Sequence, residues 1–334
     1  GLSDFVECPP QFWSSLCNGS GFDPFDPTDD VIDDEIVFWA NSSSLNADRD
    51  DVFYWRVNTY DNYTGGGYGI DASSHPSQPL SPNYLNRTWI ADSLYSNATI
   101  TWSMSYNAPI TNGLAVPMPH NWEAIDVWSD PASRLDRWDG VSTVTATGSP
   151  LNELTTDAQQ LWYEEAELDD SEPHVPSPLE LALPSYFSDG ISNESVVKTI
   201  TDEVISDSGE SSGFGMANAL SEHLRQGNDT LFYRINFNGS GVNSSDDLVH
   251  HILTGSREGT CSDFVTVFVT MARLAGIPAR KVSGYIGGQK TLDGYEVANT
   301  NAGVWAEIHL RSVSTSNDMG WIPIEPCPQP LEIH

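Results

Sequence analysis

The stretch that decides the fold runs from residue 246 to residue 285 and reads DDLVHHILTGSREGTCSDFVTVFVTMARLAGIPARKVSGY. Its first part predicts a short capped helix, and its middle part predicts a second helix from Ser262 to Gly276. The second helix is apolar on nearly every face, which is typical of a buried helix. The segment that follows it has the composition of a strand. The sequence therefore predicts a core helix that leads directly into a strand.

Cys261 lies immediately before the predicted buried helix, in the tripeptide Gly259-Thr260-Cys261. Unpaired backbone N–H groups and the helix dipole at that position would stabilise a thiolate and lower the thiol pKa. Cys261 is therefore a candidate nucleophile. A structural disulfide or an inert buried thiol are the alternative interpretations.

The residues around this stretch predict an α+β domain with helices first and an antiparallel sheet after them. Two amphipathic helical patterns precede it, at residues 192–206 and 213–225, and strand-like runs follow it: GYEVA, GVWAEIHL and GWIPIE. Residues 1–30 form a Pro/Gly-rich arm. Residues 31–175 contain short runs rich in β-branched and aromatic residues, which predict an all-β, sandwich-like domain. The α+β domain is then the third unit, residues 176–334.

The order of these motifs resembles the transglutaminase-like superfamily, in which a Gly-x-Cys opens a core helix. The resemblance rests on the GIPAR run within residues 273–285, on GVWAEIHL, which resembles a His-Ala-Trp-x-Glu strand, and on GWIPIEPCP, which resembles Gly-Trp-x-x-x-Asp-Pro. It covers roughly residues 181–328. The run FYWRVNTYDNYTGGGY further resembles the segment before such domains in membrane-anchored bacterial and archaeal ectodomains. The resemblance implies a papain-like fold.

The resemblance also implies a Cys-His-Asp triad, which this sequence retains only in part. Cys261 takes the nucleophile position, the His position falls on Gly303, and the Asp position falls on Glu325. Since a general base typically contributes about 10²–10⁴-fold, efficient transglutaminase or peptidase turnover is not expected. His309 lies about 20 Å along the strand from Gly303, and His250 and His251 belong to the preceding helix.

Cys327 follows Glu325 by two residues, so both side chains share one face of an extended chain. The resemblance places that face toward the nucleophile, and Gly303 would leave room there. We therefore expect a Cys261–Cys327 disulfide across the former active site. Cys8 and Cys17 could form a local loop in the arm, although four cysteines allow three pairings.

The composition restricts the environment and the partners. Lys and Arg number 14 against 47 Asp and Glu, a net charge of −33, and only three cations are lysine. Such a surface repels nucleic acid and anionic lipid, and it suits a halophilic, archaeon-like protein because molar salt screens its self-repulsion. An ordinary acidic secreted protein is the alternative. The acidic runs 29–35 and 164–172 could bind Ca²⁺ or other cations, but no metal site or other cofactor is predicted.

Nine Asn-x-Ser/Thr sequons, more than chance gives, favour an extracellular, glycosylated protein. They are Asn18, Asn41, Asn62, Asn86, Asn97, Asn193, Asn228, Asn238 and Asn243. No apolar run is long enough to span a membrane, so attachment would need an anchor outside this chain.

We therefore expect a cell-surface protein whose degenerate transglutaminase-like domain is a structural or binding module, with other surface proteins or its own copies as partners. The alternative is an active thiol enzyme, a transglutaminase or cysteine peptidase, that uses Cys261 with a base from elsewhere in the chain. The state of Cys261 discriminates between the two.

Overall fold

The structure is a computed structural model of the 334-residue chain. It describes residues 36–41, 54–60, 62–69, 100–110, 118–119, 122–127, 141–148, 166–167, 181–226, 233–236, 240–242, 247–292, 294–312 and 318–328.

Sixteen strands lie in these residues. In chain order they are β1 (Ile36–Asn41), β2 (Tyr54–Tyr60), β3 (Asn62–Tyr63), β4 (Tyr68–Gly69), β5 (Ile100–Ile110), β6 (Met118–Pro119), β7 (Trp122–Val127), β8 (Val141–Gly148), β9 (Ala166–Glu167), β10 (Arg234–Ile235), β11 (Glu258–Gly259), β12 (Ala279–Ile286), β13 (Gln289–Lys290), β14 (Gly294–Ala298), β15 (Ala302–Ser312) and β16 (Asp318–Ile324).

Four α-helices are described in the C-terminal half of the chain. They are α1 (Val196–Ser208), α2 (Gly213–Gln226), α3 (Leu248–His251) and α4 (Cys261–Leu274). A π-helical turn, Ile252–Ser256, continues α3, and short 3₁₀ turns lie at Ser185–Phe187, Asn193–Ser195 and Asn299–Asn301. No described helix has both the length and the apolar character needed to cross a bilayer.

The core sheet carries the helices. Its strand order is β16-β15-β12-β2-β6, and β9 pairs with the far end of β15. Val304, Ala306 and Ile308 of β15 belong to the same buried cluster as the apolar residues of α4. The helix α4 is buried along almost its whole length, so nearly all of its faces are apolar and none forms a polar, solvent-facing stripe. Burial against the core sheet thus explains the composition that the sequence shows.

A second sheet, the outer sheet, has the order β13-β14-β1-β5-β8-β7. It meets the core sheet where Phe38 of β1 packs edge-on against Trp55 of β2 and Tyr285 of β12, with ring centroids 5.5 and 5.7 Å apart. Trp55 also donates from its ring nitrogen to the carbonyl of Gly287 at 2.8 Å. These aromatic contacts join the two sheets at a fully buried point, since Phe38 and Trp55 have no exposed surface.

Strands from both halves of the sequence share each sheet. In the core sheet β2 pairs antiparallel with β12, and in the outer sheet β1 pairs antiparallel with β14. The pairing crosses the boundary predicted near residue 175. The division into an arm and two domains, 31–175 and 176–334, remains a prediction, but the hydrogen bonding of the sheets is continuous across it.

The predicted α+β class is confirmed, with helices packed against an antiparallel sheet. The strand-like runs GYEVA and GVWAEIHL correspond to β14 and β15, and the buried helix begins at Cys261. The helix predicted over 192–206 is shorter at its start, because 193–195 form a 3₁₀ turn before α1 begins. The short capped helix that the sequence predicts here begins at Leu248 with Asp247 as its cap, and it continues beyond His251 as a π turn to Ser256.

A buried aspartate ties the β3–β4 hairpin to the helices. Asp247 caps α3 by accepting from the N–H groups of Val249 and His250, at 3.0 and 3.1 Å. Its other oxygen accepts from the hydroxyls of Tyr63 and Tyr186, at 2.8 and 2.9 Å. Burial and this carboxylate together raise the pKa of Tyr63 well above its ordinary value. The YTGGGYG run thus serves as a packing element of the helical side of the fold.

Candidate functional site

The site is built around the first turn of α4. Thr260 is the N-cap, and it forms a capping box with Asp263: the N–H of Asp263 donates to Thr260 Oγ1 at 3.2 Å, and the N–H of Thr260 donates to Asp263 Oδ2 at 2.9 Å. The box fixes the position of Cys261 as the first helical residue. The backbone N–H groups and dipole of this helix end therefore act on its sulfur.

Gly259 lies close to the first turn of α4. A Cβ atom at Gly259 would lie 3.0 Å from Cβ and Oδ2 of Asp263 and 3.3 Å from Ile252. A side chain there would therefore crowd the aspartate that completes the capping box. The residue is also held by a parallel pairing with Ile235, so the strand, the cap and the cysteine are fixed together.

Cys261 and Cys327 form a disulfide, the pairing that the sequence analysis expects. Their Cα atoms are 5.2 Å apart, and 66 positions separate them in the chain. The Cα distance lies within the range of about 4.4–6.8 Å that disulfides adopt. Both cysteines are buried, with 7% and 8% of their surface exposed. The sulfur of Cys261 is thus engaged in a covalent bond and does not act as a nucleophile in this state.

The position that the resemblance assigns to a histidine is Gly303, in β15. The bridge forms while position 303 has no side chain, and a Cβ atom there would lie 2.7 Å from Cδ1 and 3.0 Å from Cγ1 of Ile286. Ile286 ends the neighbouring strand β12. An apolar side chain therefore occupies the direction in which a side chain at position 303 would point.

Glu325, at the expected aspartate position, lies beside the bridge. One of its carboxylate oxygens and the sulfurs of Cys261 and Cys327 all lie within 4.8 Å of one another. Burial raises the pKa of the Glu325 carboxyl to about 7, while Arg225 and a hydrogen bond from the Cys327 N–H act in the opposite direction. The hydroxyl of Ser221 donates to the Glu325 backbone carbonyl at 3.1 Å, which links this segment to α2.

Three described histidines have oxygen atoms as partners of their ring nitrogens. His223 contacts the Tyr233 hydroxyl at 3.2 Å, His250 contacts Thr254, and His251 contacts the Ser240 carbonyl at 3.0 Å. Burial lowers the pKa of His223. His309 is half-buried in β15, where its N–H donates to the Pro278 carbonyl. His120 and His174 lie outside the described residues.

A buried lysine next to the site was missed from the sequence. Lys281 of β12 lies beneath the first turns of α4, where its ammonium donates to Ser262 Oγ at 2.5 Å, to the Ser262 carbonyl at 3.3 Å and to Thr266 Oγ1 at 3.4 Å. Burial lowers its pKa to about 8, against a raising influence of Asp263. The available signal was the polar stripe Ser262, Thr266 and Thr270, at intervals of four residues on an apolar helix.

A second buried charge cluster lies farther along β15. Glu307 has no exposed surface and accepts from Arg280 at 2.8 and 3.0 Å and from Arg56 at 3.1 Å. Arg56 belongs to β2, so this cluster joins the N-terminal half of the sequence to the strand that carries position 303. Its role in the fold is to hold β2, β12 and β15 together.

Several predicted positions are not tested by this structure. Asn41, Asn62 and Asn193 are exposed, as glycan acceptors must be, and the other six sequons lie outside the described residues. Cys8, Cys17 and the acidic run 29–35 also lie outside them. Of the run 164–172 only the backbone of β9 is described.

Comparison with known proteins supports the resemblance. The sequence profile of the transglutaminase-like superfamily matches residues 201–326. The uncharacterized protein YebA of Bacillus subtilis is 26% identical over 294 residues, which is 82% of this chain and 36% of that protein. An uncharacterized protein of Haemophilus influenzae is 32% identical over 91 residues, 24% of each chain. The chain therefore spans about a third or less of the curated relatives that it matches.

Among solved structures, the periplasmic domain of TgpA from Pseudomonas aeruginosa has a similar fold. The match has a TM-score of 0.53 and 17% identity, and it covers 88% of both chains. The similarity therefore extends over the N-terminal strands as well as the helical part. The profile match, this fold and the position of Cys261 at the start of the core helix agree. The chain carries a domain of the transglutaminase-like superfamily.

Proposed function

We propose that this chain is the extracytoplasmic part of a cell-surface protein in which the transglutaminase-like domain is a structural or binding module with no efficient thiol catalysis. The single observation that carries the proposal is the Cys261–Cys327 disulfide. A cysteine nucleophile acts through its thiolate, and a sulfur in a disulfide has none.

The environment of Gly303 supports the same conclusion. Position 303 carries no side chain that could act as a base, and a histidine there would require Ile286 to move, because a Cβ atom would lie 2.7 Å from its Cδ1. Hydrolysis and acyl transfer by a cysteine nucleophile both need a group that removes the thiol proton and later protonates the leaving group. Reducing the bridge would therefore expose a thiol that still lacks its usual base.

The extracytoplasmic location is inferred from two observations. The fold matches the periplasmic domain of TgpA over nearly the whole chain, and the disulfide is a bond that persists in oxidising compartments. A module at the cell surface would meet other surface proteins or copies of itself, and the exposed sequons Asn41, Asn62 and Asn193 are open to glycosylation.

The composition supports a salt-rich setting for this surface. The net charge of −33 implies strong repulsion between carboxylates at low ionic strength. In about 1 M salt the screening length falls to about 3 Å, which removes most of that repulsion. We expect the unfolding temperature to rise steadily between dilute buffer and molar KCl. An unfolding temperature that is flat or falling over that range would contradict a halophilic origin.

The test of the module hypothesis combines peptide mapping with activity. Unreduced, denatured protein is digested, and a linked peptide containing Cys261 and Cys327 is expected. Amine incorporation into glutamine peptides and cleavage of unfolded casein are then measured before and after reduction, and no turnover is expected in either state. The matched control is Cys261→Ala, whose background rates should equal those of the wild type.

The thiol-enzyme alternative has one observation in its favour, the intact capping box that places Cys261 at the end of a helix. Turnover after reduction that disappears in Cys261→Ala would establish that alternative. It would also require a base other than position 303. A free Cys261 in untreated protein that reacts rapidly with iodoacetamide would likewise overturn the module hypothesis.

A further inference from the structure

We propose that the Cys261–Cys327 bridge is the oxidised state of a Zn²⁺ site, and that its reduction creates a binding site formed by the two cysteine sulfurs and the Glu325 carboxylate. The inference goes beyond the proposed function, since it assigns a ligand to the site where catalysis is absent. It concerns a bound metal with no step of catalysis.

The geometry carries the proposal. The two sulfurs and a Glu325 oxygen already lie within 4.8 Å of one another. Zn–S bonds of about 2.3 Å and a tetrahedral angle require sulfurs about 3.8 Å apart, and Zn–O bonds are about 2.0–2.2 Å. With Cα atoms 5.2 Å apart, the cysteines can reach that separation by side-chain rotation alone once the bond is broken. Three protein donors would leave the fourth tetrahedral position to water.

The backbone around the site suits metal binding because the three ligands are held by two fixed parts of the fold. Cys261 is fixed by the capping box of α4. Glu325 and Cys327 directly follow β16, and the Ser221 hydroxyl of α2 binds the Glu325 carbonyl. Donors held in this way lose little freedom when a metal binds, which favours a preorganised site.

The chemistry of the donors selects the ion. Thiolates favour soft or borderline ions such as Zn²⁺, whereas Ca²⁺ and Mg²⁺ require six or more oxygen ligands. Two thiolates and a carboxylate carry three negative charges toward a divalent ion. The positive end of the α4 dipole lies at Cys261 and stabilises the one negative charge that a divalent ion leaves uncompensated.

The redox step balances with two equivalents of a small thiol. The first thiolate attacks one sulfur of the bridge and releases the other as a thiolate, leaving a mixed disulfide. The second thiolate attacks the mixed disulfide, so that both cysteines are reduced and the two small thiols leave as one disulfide. Binding of Zn²⁺ then displaces the remaining thiol protons into solvent.

The experiment uses the full chain carrying Cys8→Ser and Cys17→Ser, so that Cys261 and Cys327 are its only thiols. Protein reduced with a phosphine is desalted without oxygen and titrated with Zn²⁺ against a chromogenic chelator in molar KCl. One Zn²⁺ per chain is expected for the reduced protein and none of comparable affinity for the oxidised protein. Co²⁺ should give the thiolate charge-transfer band and the intense visible absorption of tetrahedral coordination.

Variants separate the ligands from the charge of the surface. Cys327→Ser should weaken Zn²⁺ binding by about 100-fold or more, and Glu325→Gln by about tenfold or more. Glu222→Gln, which removes an exposed carboxylate from α2, should leave the affinity unchanged. Circular dichroism of each reduced variant checks that it is folded.

Equal Zn²⁺ affinity in the reduced and oxidised proteins, or a Co²⁺ spectrum without a thiolate band, would overturn the proposal. So would a Glu325→Gln variant that binds as the wild type does. The titration starts from fully reduced protein, so its failure is distinguishable from failure of the proposed function, which mapping of the untreated protein decides.

Discussion

Removal of the Cys261–Cys327 bridge is the perturbation whose effect follows most directly from the structure. The bond closes a loop between positions 66 residues apart. In the chain-entropy account, a loop of this length removes about 15 cal/mol/K from the unfolded ensemble, which corresponds to about 4 kcal/mol at 25 °C. We therefore expect Cys261→Ala, Cys327→Ala and the double variant each to lose about 4 kcal/mol in the free energy of unfolding.

The equality of the three losses is the sharp part of this prediction. Each single substitution breaks the same bond, so the double variant loses little more than either single one, and a double-mutant cycle gives a coupling energy close to the whole effect. Urea unfolding followed by tryptophan fluorescence at fixed salt measures all three. Single losses below about 1 kcal/mol, or losses that simply add in the double variant, would refute the reasoning.

Three further substitutions test the buried polar groups. Burial lowers the pKa of Lys281 to about 8, so the folded state disfavours its charge. The stability of the wild type relative to Lys281→Met should therefore be lowest below pH 8 and rise by about 3 kcal/mol from pH 8 to pH 10.5. Paired urea titrations across this range measure the rise, and a constant difference would contradict it. Asp247→Ala removes the acceptor of four hydrogen bonds and should lower the free energy of unfolding by about 3 kcal/mol. The control Asp202→Ala, in an exposed ion pair, should lower it by about 0.5 kcal/mol or less. Similar decreases for the two variants in thermal unfolding would show that the cap contributes little. Glu307→Gln leaves the buried Arg280 and the half-buried Arg56 without their carboxylate and should cost about 3–5 kcal/mol by urea unfolding. A loss under about 1 kcal/mol would mean that the cluster is replaceable.

The elements that could be predicted from the sequence are those whose pattern is local. A run of apolar residues that ends before Gly276 predicts the buried helix that begins at Cys261. The composition of the strands predicts β14 and β15. The disulfide was predictable because the resemblance placed Cys327 near the nucleophile position. In each case the deciding information lies within about fifteen residues or in a recognised motif.

The features that could not be predicted depend on contacts between distant parts of the chain. Nothing near Gly303 in the sequence shows that Ile286 fills the space beside it, since that contact follows from the register in which β12 pairs with β15. The same holds for Lys281, whose partners Ser262 and Thr266 lie on a helix that packs over its strand. Strand pairing at this range leaves no local pattern.

The insertion of β2 beside β12 has a consequence for how the protein is synthesised. Trp55 and its acceptor Gly287 are separated by 232 residues, so most of the chain must leave the ribosome before the core sheet can close. Until then, the N-terminal strands expose edges that can pair with other chains. A fragment beginning near residue 176 would have the opposite defect, because the edge of β12 that β2 covers would be left open. We expect such a fragment to aggregate, and we expect a secretion or holding factor to be needed for high yields of the intact protein.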